Sequence, residues 1–360
     1  MIIVNFLIFF LENLAKFWLA PQNILHKKAL KRMMHNTQAN NEQPFIQAHE
    51  QNLIDGKLTN SFSKWQFLYQ ETVALYPSIN PISFLKRLAI FIYATPNLSF
   101  VVNWLKSTDN PLLKEQLEQI PDLKEFTYLP YVNNRWTCQD RLKAIETHYH
   151  LVQHHCPFLN IDNHQYVDLF NIPFESSMIR VTVDKPLWMR KEGEISVSLF
   201  LGTDRIYTIM FLLTGEPNNV SAIIGSLQGD GRERLETYKA FTKHFHGWRP
   251  RDFLIIMFKL LAGYIGCKAI YAVSDEAHRS NLWYSKSNKG VKYNDIWVEF
   301  HGEIQDDGFF KLPVAIKKRD ISEISSNKRA MYRRRYELLD ALQVELKVTL
   351  DQYRPVNLFI

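Results

Sequence analysis

The pattern of apolar and polar positions changes period near the middle of the chain. Over residues 61–156 apolar side chains recur at intervals of three and four, as on one face of a helix; from Ile179 onward they gather into short runs that alternate or saturate, as in strands. FSKWQFLYQETVALY places Phe62, Trp65, Leu68, Tyr69 and Val73 on one face, and Pro77 and Pro81 end that helix. ISFLKRLAIFIYA, LSFVVNWLKS, PLLKEQLEQI and CQDRLKAIETHYHLVQHHC read as further helices, the last stopping at Pro157. This predicts an all-helical region, either a lobe of its own or a layer covering one face of a later sheet.

IRVTVDKP (179–186) alternates and predicts a strand. ISVSLFL, RIYTIMFLL and VSAIIGSLQG follow, rich in Ile, Val, Phe and Tyr and separated by Gly202-Thr203-Asp204 and Gly215-Glu216-Pro217-Asn218-Asn219. Short turn-forming breaks between such runs predict an antiparallel meander. RERLETYKAFTKHFHG then predicts a helix with Leu235, Tyr238 and Phe241 inward, ended by Gly247. DFLIIMFKLLAGYIG is helical and interrupted only by Lys259, so it belongs against the sheet, and KAIYAVSD returns as a buried strand through a right-handed crossover. HRSNLWYSK is a short helix or turn. YNDIWVEFHGE reads as a last alternating strand, IQDDGFFKLP as a loop, and Ser326 to Leu350 as a helix with Leu338, Leu339, Leu342 and Leu346 along one side. The expected fold is α+β: a mostly antiparallel twisted sheet with a helix crossover, preceded by the all-helical region. The expected segments are 1–60, 61–156, 157–325 and 326–360.

Composition adds little to this. The 360 residues are 46% hydrophobic with 24 Phe, 16 Tyr and only 13 Gly, which excludes a low-complexity chain and supplies a large core. The net charge of +6 favours anionic neighbours. Cys138, Cys156 and Cys267 lack paired or metal-like spacing and read as thiols of a reducing compartment. Met1 to Ala20 is apolar but carries Glu12 and Lys16, with no basic residue ahead of its apolar core. A signal peptide and a spanning helix are both disfavoured. The segment is expected to pack on its own protein, interfacial attachment through the following HKKALKRM being the alternative. Asn36 to Gln51 reads as a polar linker. The expected location is cytoplasmic, with peripheral contact to an inner membrane.

Chemistry-bearing patterns are few. His148, His150, His154 and His155 crowd one helix end, but no Glu beside the first of the i, i+4 pair completes a zinc-protease pattern, so a solvated helix end is expected and no metal. Lys328, Arg329, Arg333, Arg334 and Arg335 read as a wet helical face, with a phosphate-contacting patch as the alternative; without an RNP or helix-turn-helix signature, nucleic acid is disfavoured. There is no Walker loop and no Ser-His-Asp spacing.

The blocks IGSLQGDGRERLETYKAFTKHFHGWRPRDFLIIMFKLLAGYIGCKAIYAVSDEAH, YNDIWVEFHGE, DDGFFKLP and KRAMYRRRYELL, in that order, resemble the VirK/YbjX family of Gram-negative bacteria. The resemblance runs from about Lys64 to Leu350 and implies an envelope- and virulence-associated role: support of outer-membrane protein display, or resistance to cationic peptides. Partners it implies are a membrane lipid or lipopolysaccharide precursor and an outer-membrane protein client. It implies no reaction.

The order of meander, Gly-containing loop, helix and parallel strand is also similar to that of the GNAT fold, whose donor is acyl-coenzyme A; an acyl carrier protein is the other candidate donor. In that reading backbone amides of Gln228, Gly229, Gly231 and Arg232, with Arg249 and Arg251, would meet donor phosphates at a helix N-terminus. Gln228 would also orient the acyl group, Tyr284 would protonate the leaving thiolate, and His278 or Asp275 would act as base. The loop reads QGDGRER, so Asp230 departs from the pyrophosphate-binding pattern.

Overall fold

The computed structural model describes residues 61–78, 80–107, 109–163, 165–230, 235–281 and 292–353. The expectations for Met1–Met33 and the linker, and those for Gly231, Arg232 and Tyr284, lie outside the described residues. From Lys64 onward the chain forms one compact unit.

Among the described residues five α-helices come first: α1 (Ser61–Leu75), α2 (Pro81–Ala94), α3 (Leu98–Lys106), α4 (Pro111–Gln119) and α5 (Cys138–His155). Three starts are written locally. Asn80 accepts from Ser83 N ahead of Pro81, Asn110 accepts from Leu113 N ahead of Pro111, and Thr137 with Asp140 forms a capping box. The face of α1 is displaced from the expected one, since Leu68 and Thr72 are buried while Phe62 and Tyr69 are exposed. α5 is the central helix of this region. It buries Leu142, Ile145, Tyr149 and Val152 and packs on the sheet, so the helical region is a layer on the strands. Buried Arg141 donates to the carbonyls of Phe126, Trp136 and Thr127 and so ties down the connection that precedes α5.

One eight-stranded sheet follows, in the order β1-β2-β3-β4-β5-β6-β8-β7. β1 (Tyr166–Phe174), β2 (Ser177–Asp184), β3 (Ile195–Leu201), β4 (Asp204–Glu216) and β5 (Asn219–Gly229) are an antiparallel meander. α6 (Leu235–His244) and α7 (Pro250–Ile265) then cross over to β6 (Ala269–Val273), which pairs with β5 in parallel. In α6 the inner residue is Phe241, its ring 4.3 Å from that of Phe245 beyond the helix end; Leu235, expected inside, is exposed.

Two expectations are corrected after β6. YNDIWVEF forms α8 (Tyr293–Glu299) rather than a strand, because Tyr293, Ile296 and Trp297 are the buried set, a spacing of three and four. The loop expected next, from Ile304, supplies the second residue of β7 (Glu303–Ile304) and all of β8 (Phe309–Leu312), with Phe309 and Phe310 buried as β8 joins β6. α9 (Ser326–Asp351) closes the described chain and buries Leu339, Leu342, Leu346 and Leu350.

The faces of the meander differ in kind. Ile179, Val181 and Val183 of β2 lie opposite Leu201, Leu199 and Val197 of β3, and this apolar face carries α7, with Phe258 5.1 Å from Phe211. On the other face Thr182, Ser198, Thr208 and Gln228 stand in register across four strands. The 3-10 turn Leu187–Glu192 reaches over this polar row, touching β4 and β5.

Candidate functional site

The site most strongly built lies where β5 and β6 stop pairing. Their ladder runs from Ser221–Ala269 to Ile224–Ala272 and goes no further. On its other edge β5 pairs Ile224 with Phe211 and Ser226 with Met210, leaving Gly225 as the extra residue of a β-bulge. The opening this creates is occupied. A Cβ on Gly225 would lie 2.0 Å from the carbonyl oxygen of Glu192 and 3.2 Å from Cγ2 of Val132, so only glycine lets those two elements seat here.

The carboxylate of Glu192, 6% exposed as a residue, gathers the surrounding groups. Gln228 Nε2 donates to it at 2.7 Å and Arg279 Nε at 3.4 Å, and His278 Nε2 lies 3.9 Å away. The backbone N–H of Ser280 donates to His278 Nδ1 at 3.2 Å, with Ser280 Oγ 2.7 Å from the same nitrogen. An Nδ1 that accepts from a backbone amide carries no proton, so the neutral imidazole keeps its N–H on Nε2, toward Glu192. Tyr293 lies 5.2 Å from the His278 ring and accepts from Leu227 N at 3.4 Å; burial holds its phenol well above the ordinary range. Residues 132–134, from the helical region, strap this cluster: Arg279 N donates to Val132 O at 3.0 Å, and Asn134 Nδ2 reaches the carbonyls of Glu276 and Asn281.

Of the expected site residues, Gln228 and His278 meet at Glu192. Asp275 has its carboxylate on the first amides of α8, accepting from Tyr293 N and Asn294 N at 3.1 Å each, an N-terminal cap across a long connection. Gly229 ends β5 with its Cα against the Tyr207 ring. Arg249 is exposed at the start of α7. Arg251 is tied to Asp252 and Glu299.

Sequence reasoning missed two carboxylates, Glu192 and Glu194. Two residues on, Glu194 is fully buried between the hydroxyls of Tyr131 and Tyr149, which donate to it at 2.6 and 2.7 Å. Burial raises its carboxyl above the usual range, against the opposing pull of those two hydrogen bonds and of Lys185. The one signal was Gly193 between two acids just ahead of an apolar strand; its φ of 153° and a Cβ position 2.7 Å from Phe211 N leave no room there for a side chain. His148, expected in a solvated cluster, is 1% exposed and accepts from Leu213 N at 3.1 Å, and burial pushes its pKa down to about 3. Among the described residues no three His, Cys, Asp or Glu side chains are grouped to hold a metal.

Fold and site define an α+β protein in which an antiparallel meander passes through a helix crossover to a parallel strand, with buried Glu192 and His278 joined by half-buried Arg279 and exposed Gln228 at the carboxyl end of that pair. The chain belongs to the DUF535 family, described as a protein of unknown function, whose profile matches residues 83–348, and this is the family of YbjX. The chain is 30% identical over 278 residues to the uncharacterized protein YbjX of Escherichia coli (strain K12), covering 73% of this chain and 82% of that protein. It is also 30% identical over 158 residues to an uncharacterized protein of Haemophilus influenzae, covering 43% of this chain and 53% of the relative. No solved structure matches the chain.

Proposed function

We propose that this protein is an envelope-associated factor that acts by binding rather than by acyl transfer, supporting outer-membrane protein display or resistance to cationic peptides. The observation that carries the choice is the filled wedge at Gly225. A GNAT-like enzyme needs the β5–β6 opening for the donor's pantetheine arm, and here the Glu192 carbonyl and Val132 occupy it. The envelope role follows the resemblance to the VirK/YbjX family. A membrane lipid, a lipopolysaccharide precursor or an outer-membrane client is the partner class that fits the net positive charge, with exposed Arg333 and Arg334 on α9 as a contact. The site of action is the cytoplasmic side of the inner membrane. Among the described residues one helical stretch, Pro81–Lys106, is long and apolar enough to cross a membrane, but it holds a 3-10 turn and buries Val101, Val102 and Trp104 in the protein.

Deleting the gene in its host and restoring it tests this directly. Restored survival against a cationic peptide and restored display of outer-membrane proteins are expected from the full chain and equally from His278→Ala. A strain indifferent to the deletion in both assays contradicts the envelope role.

A second reading has one observation in its favour. His278 and Glu192 stand at the carboxyl ends of adjacent parallel strands, where open α/β sheets place chemistry. Under that reading His278 is the base of an acyl transfer, and calorimetric titration with acetyl- or long-chain acyl-coenzyme A or acyl carrier protein shows saturable binding. The binding account predicts none.

A further inference from the structure

The polar face of the sheet opens to solvent at a second place, at the β1–β2–β3 end. A pocket of about 320 Å³ lies there, within the size range of small-molecule sites. Its floor is preorganised. Asp184, 8% exposed, accepts from Ser196 Oγ at 2.5 Å and Ser198 Oγ at 2.8 Å and is ion-paired with Arg205. That spends the charge of Arg205, whose guanidinium lies 4.6 Å from the Phe200 ring centre and 5.3 Å from that of Trp188.

Arg180 is differently placed. Its guanidinium lies near both Tyr166 and Phe200, 5.5 and 5.2 Å from their ring centres, and its one hydrogen bond among the described residues, to Gly202 O, is stretched to 3.5 Å. Among the described residues no carboxylate pairs with it. A guanidinium flanked by two rings and lacking a carboxylate partner can take a bidentate oxyanion. In the same pocket Trp188 is 73% exposed, a cost to a soluble surface unless something covers it. Thr182 lines the same pocket, is 1% exposed, and has its buried Oγ1 without a hydrogen-bond partner among the described residues. Native proteins rarely leave such a group unmatched.

We propose that this pocket binds a monosaccharide-sized sugar carrying a phosphate or carboxylate, with the acidic group on Arg180 and the ring against Trp188. A sugar fits better than a nucleobase. A base needs two flat walls, whereas Arg205 already occupies one side of the indole, and beside Lys185, Pro186 and Leu187 the lining includes Gln165, Thr182 and Asp184, hydrogen-bonding groups suited to hydroxyls. The proposal rests on the binding reading above and names its site and ligand class.

Calorimetric titration of the full chain with glucose 1-phosphate, glucuronate, glucose, inorganic phosphate and uridine monophosphate tests it. Saturable binding of glucose 1-phosphate or glucuronate is expected at millimolar concentration or below, with glucose and inorganic phosphate at least about tenfold weaker, since each lacks one of the two contacts. The two acidic sugars distinguish phosphate from carboxylate. Arg180→Gln and Trp188→Ala should each weaken binding about tenfold or more, with unfolding midpoints unchanged because both side chains lie at the rim. No binding of either acidic sugar, equal binding by Arg180→Gln, or binding of the nucleotide alone overturns the proposal. The phenotype of the deletion strain is read separately, so loss of the site and loss of the envelope role are distinguishable.

Discussion

Val181 and Thr182 are consecutive in β2, both are buried, and they face opposite layers of the molecule. Val181 joins Leu199 in an apolar face that is closed by α7 and complete in itself. Thr182 begins the row that continues through Ser198 and Thr208 to Gln228, and this face ends in the Arg180–Trp188 pocket on one side and the Glu192 cluster on the other. One face spends its side chains on stability. The other carries hydroxyls, guanidinium groups and carboxylates that a core has no need of, and burying such groups costs roughly 1–3 kcal/mol each where no partner is found. We read that cost as the mark of a surface kept for something other than folding.

The largest effect expected is at the junction of the two faces. Gly225→Ala places a methyl carbon 2.0 Å from the Glu192 carbonyl, and neither backbone can give way without losing the bulge. A loss of about 3 kcal/mol, read from the denaturant midpoint, is expected. A variant as stable as the parent would mean the wedge is open after all, and the case against acyl transfer would lapse. Next comes Glu192→Ala, which strips Gln228 and Arg279 of their acceptor and should cost about 2 kcal/mol; Glu192→Gln, which keeps an acceptor oxygen, should recover about half.

These residues also show what the sequence could and could not convey. β3, β4, β5, α7 and β6 were legible because each holds an apolar run, with Gly202, Gly215, Pro250 and Gly266 among the breaks between them. β1 was not, since YVDLFNIPF carries Asp168, Asn171 and Pro173 and breaks register at a bulge between Asp168 and Phe170. α8 was mistaken for a strand because Ile296, Val298 and Phe300 alternate, although the buried set is Tyr293, Ile296 and Trp297. At the candidate site His278 and Gln228 could be picked out from their place after strands. Glu192 and Glu194 could not, because KEGE is the composition of a wet turn and only long-range contacts with Tyr131, Tyr149 and Arg279 draw it inside.

His148 sharpens the comparison from the satisfied side: it is a buried polar group, but its acceptor nitrogen is used. With a folded-state pKa of about 3 against 6.5 unfolded, the unfolded chain binds the extra proton between those values. Its contribution is therefore complete above about pH 6.5 and is lost as the pH falls toward 3, at up to about 1.4 kcal/mol per pH unit. Glu194 works the other way: its raised carboxyl gives stability present at low pH and lost as the pH climbs above 4.5. The difference between parent and His148→Gln isolates the histidine. That difference should grow with pH across the window, and a flat one would show that the imidazole is protonated in place.

The smallest effects are the most telling, and they come from exchanging the two neighbours in β2. Val181→Thr puts a hydroxyl into a face with no polar partner and should cost about 1–2 kcal/mol. Thr182→Val removes a buried oxygen that has no partner among the described residues, and should leave the unliganded protein as stable as the parent or up to about 1 kcal/mol more so. Chemical unfolding of both variants beside the parent, without added ligand, is the direct measurement. Opposite signs, or a loss for Val181→Thr against no loss for Thr182→Val, is the predicted result. An equal loss in both would contradict the account, because the polar face would then be holding the fold together as the apolar one does.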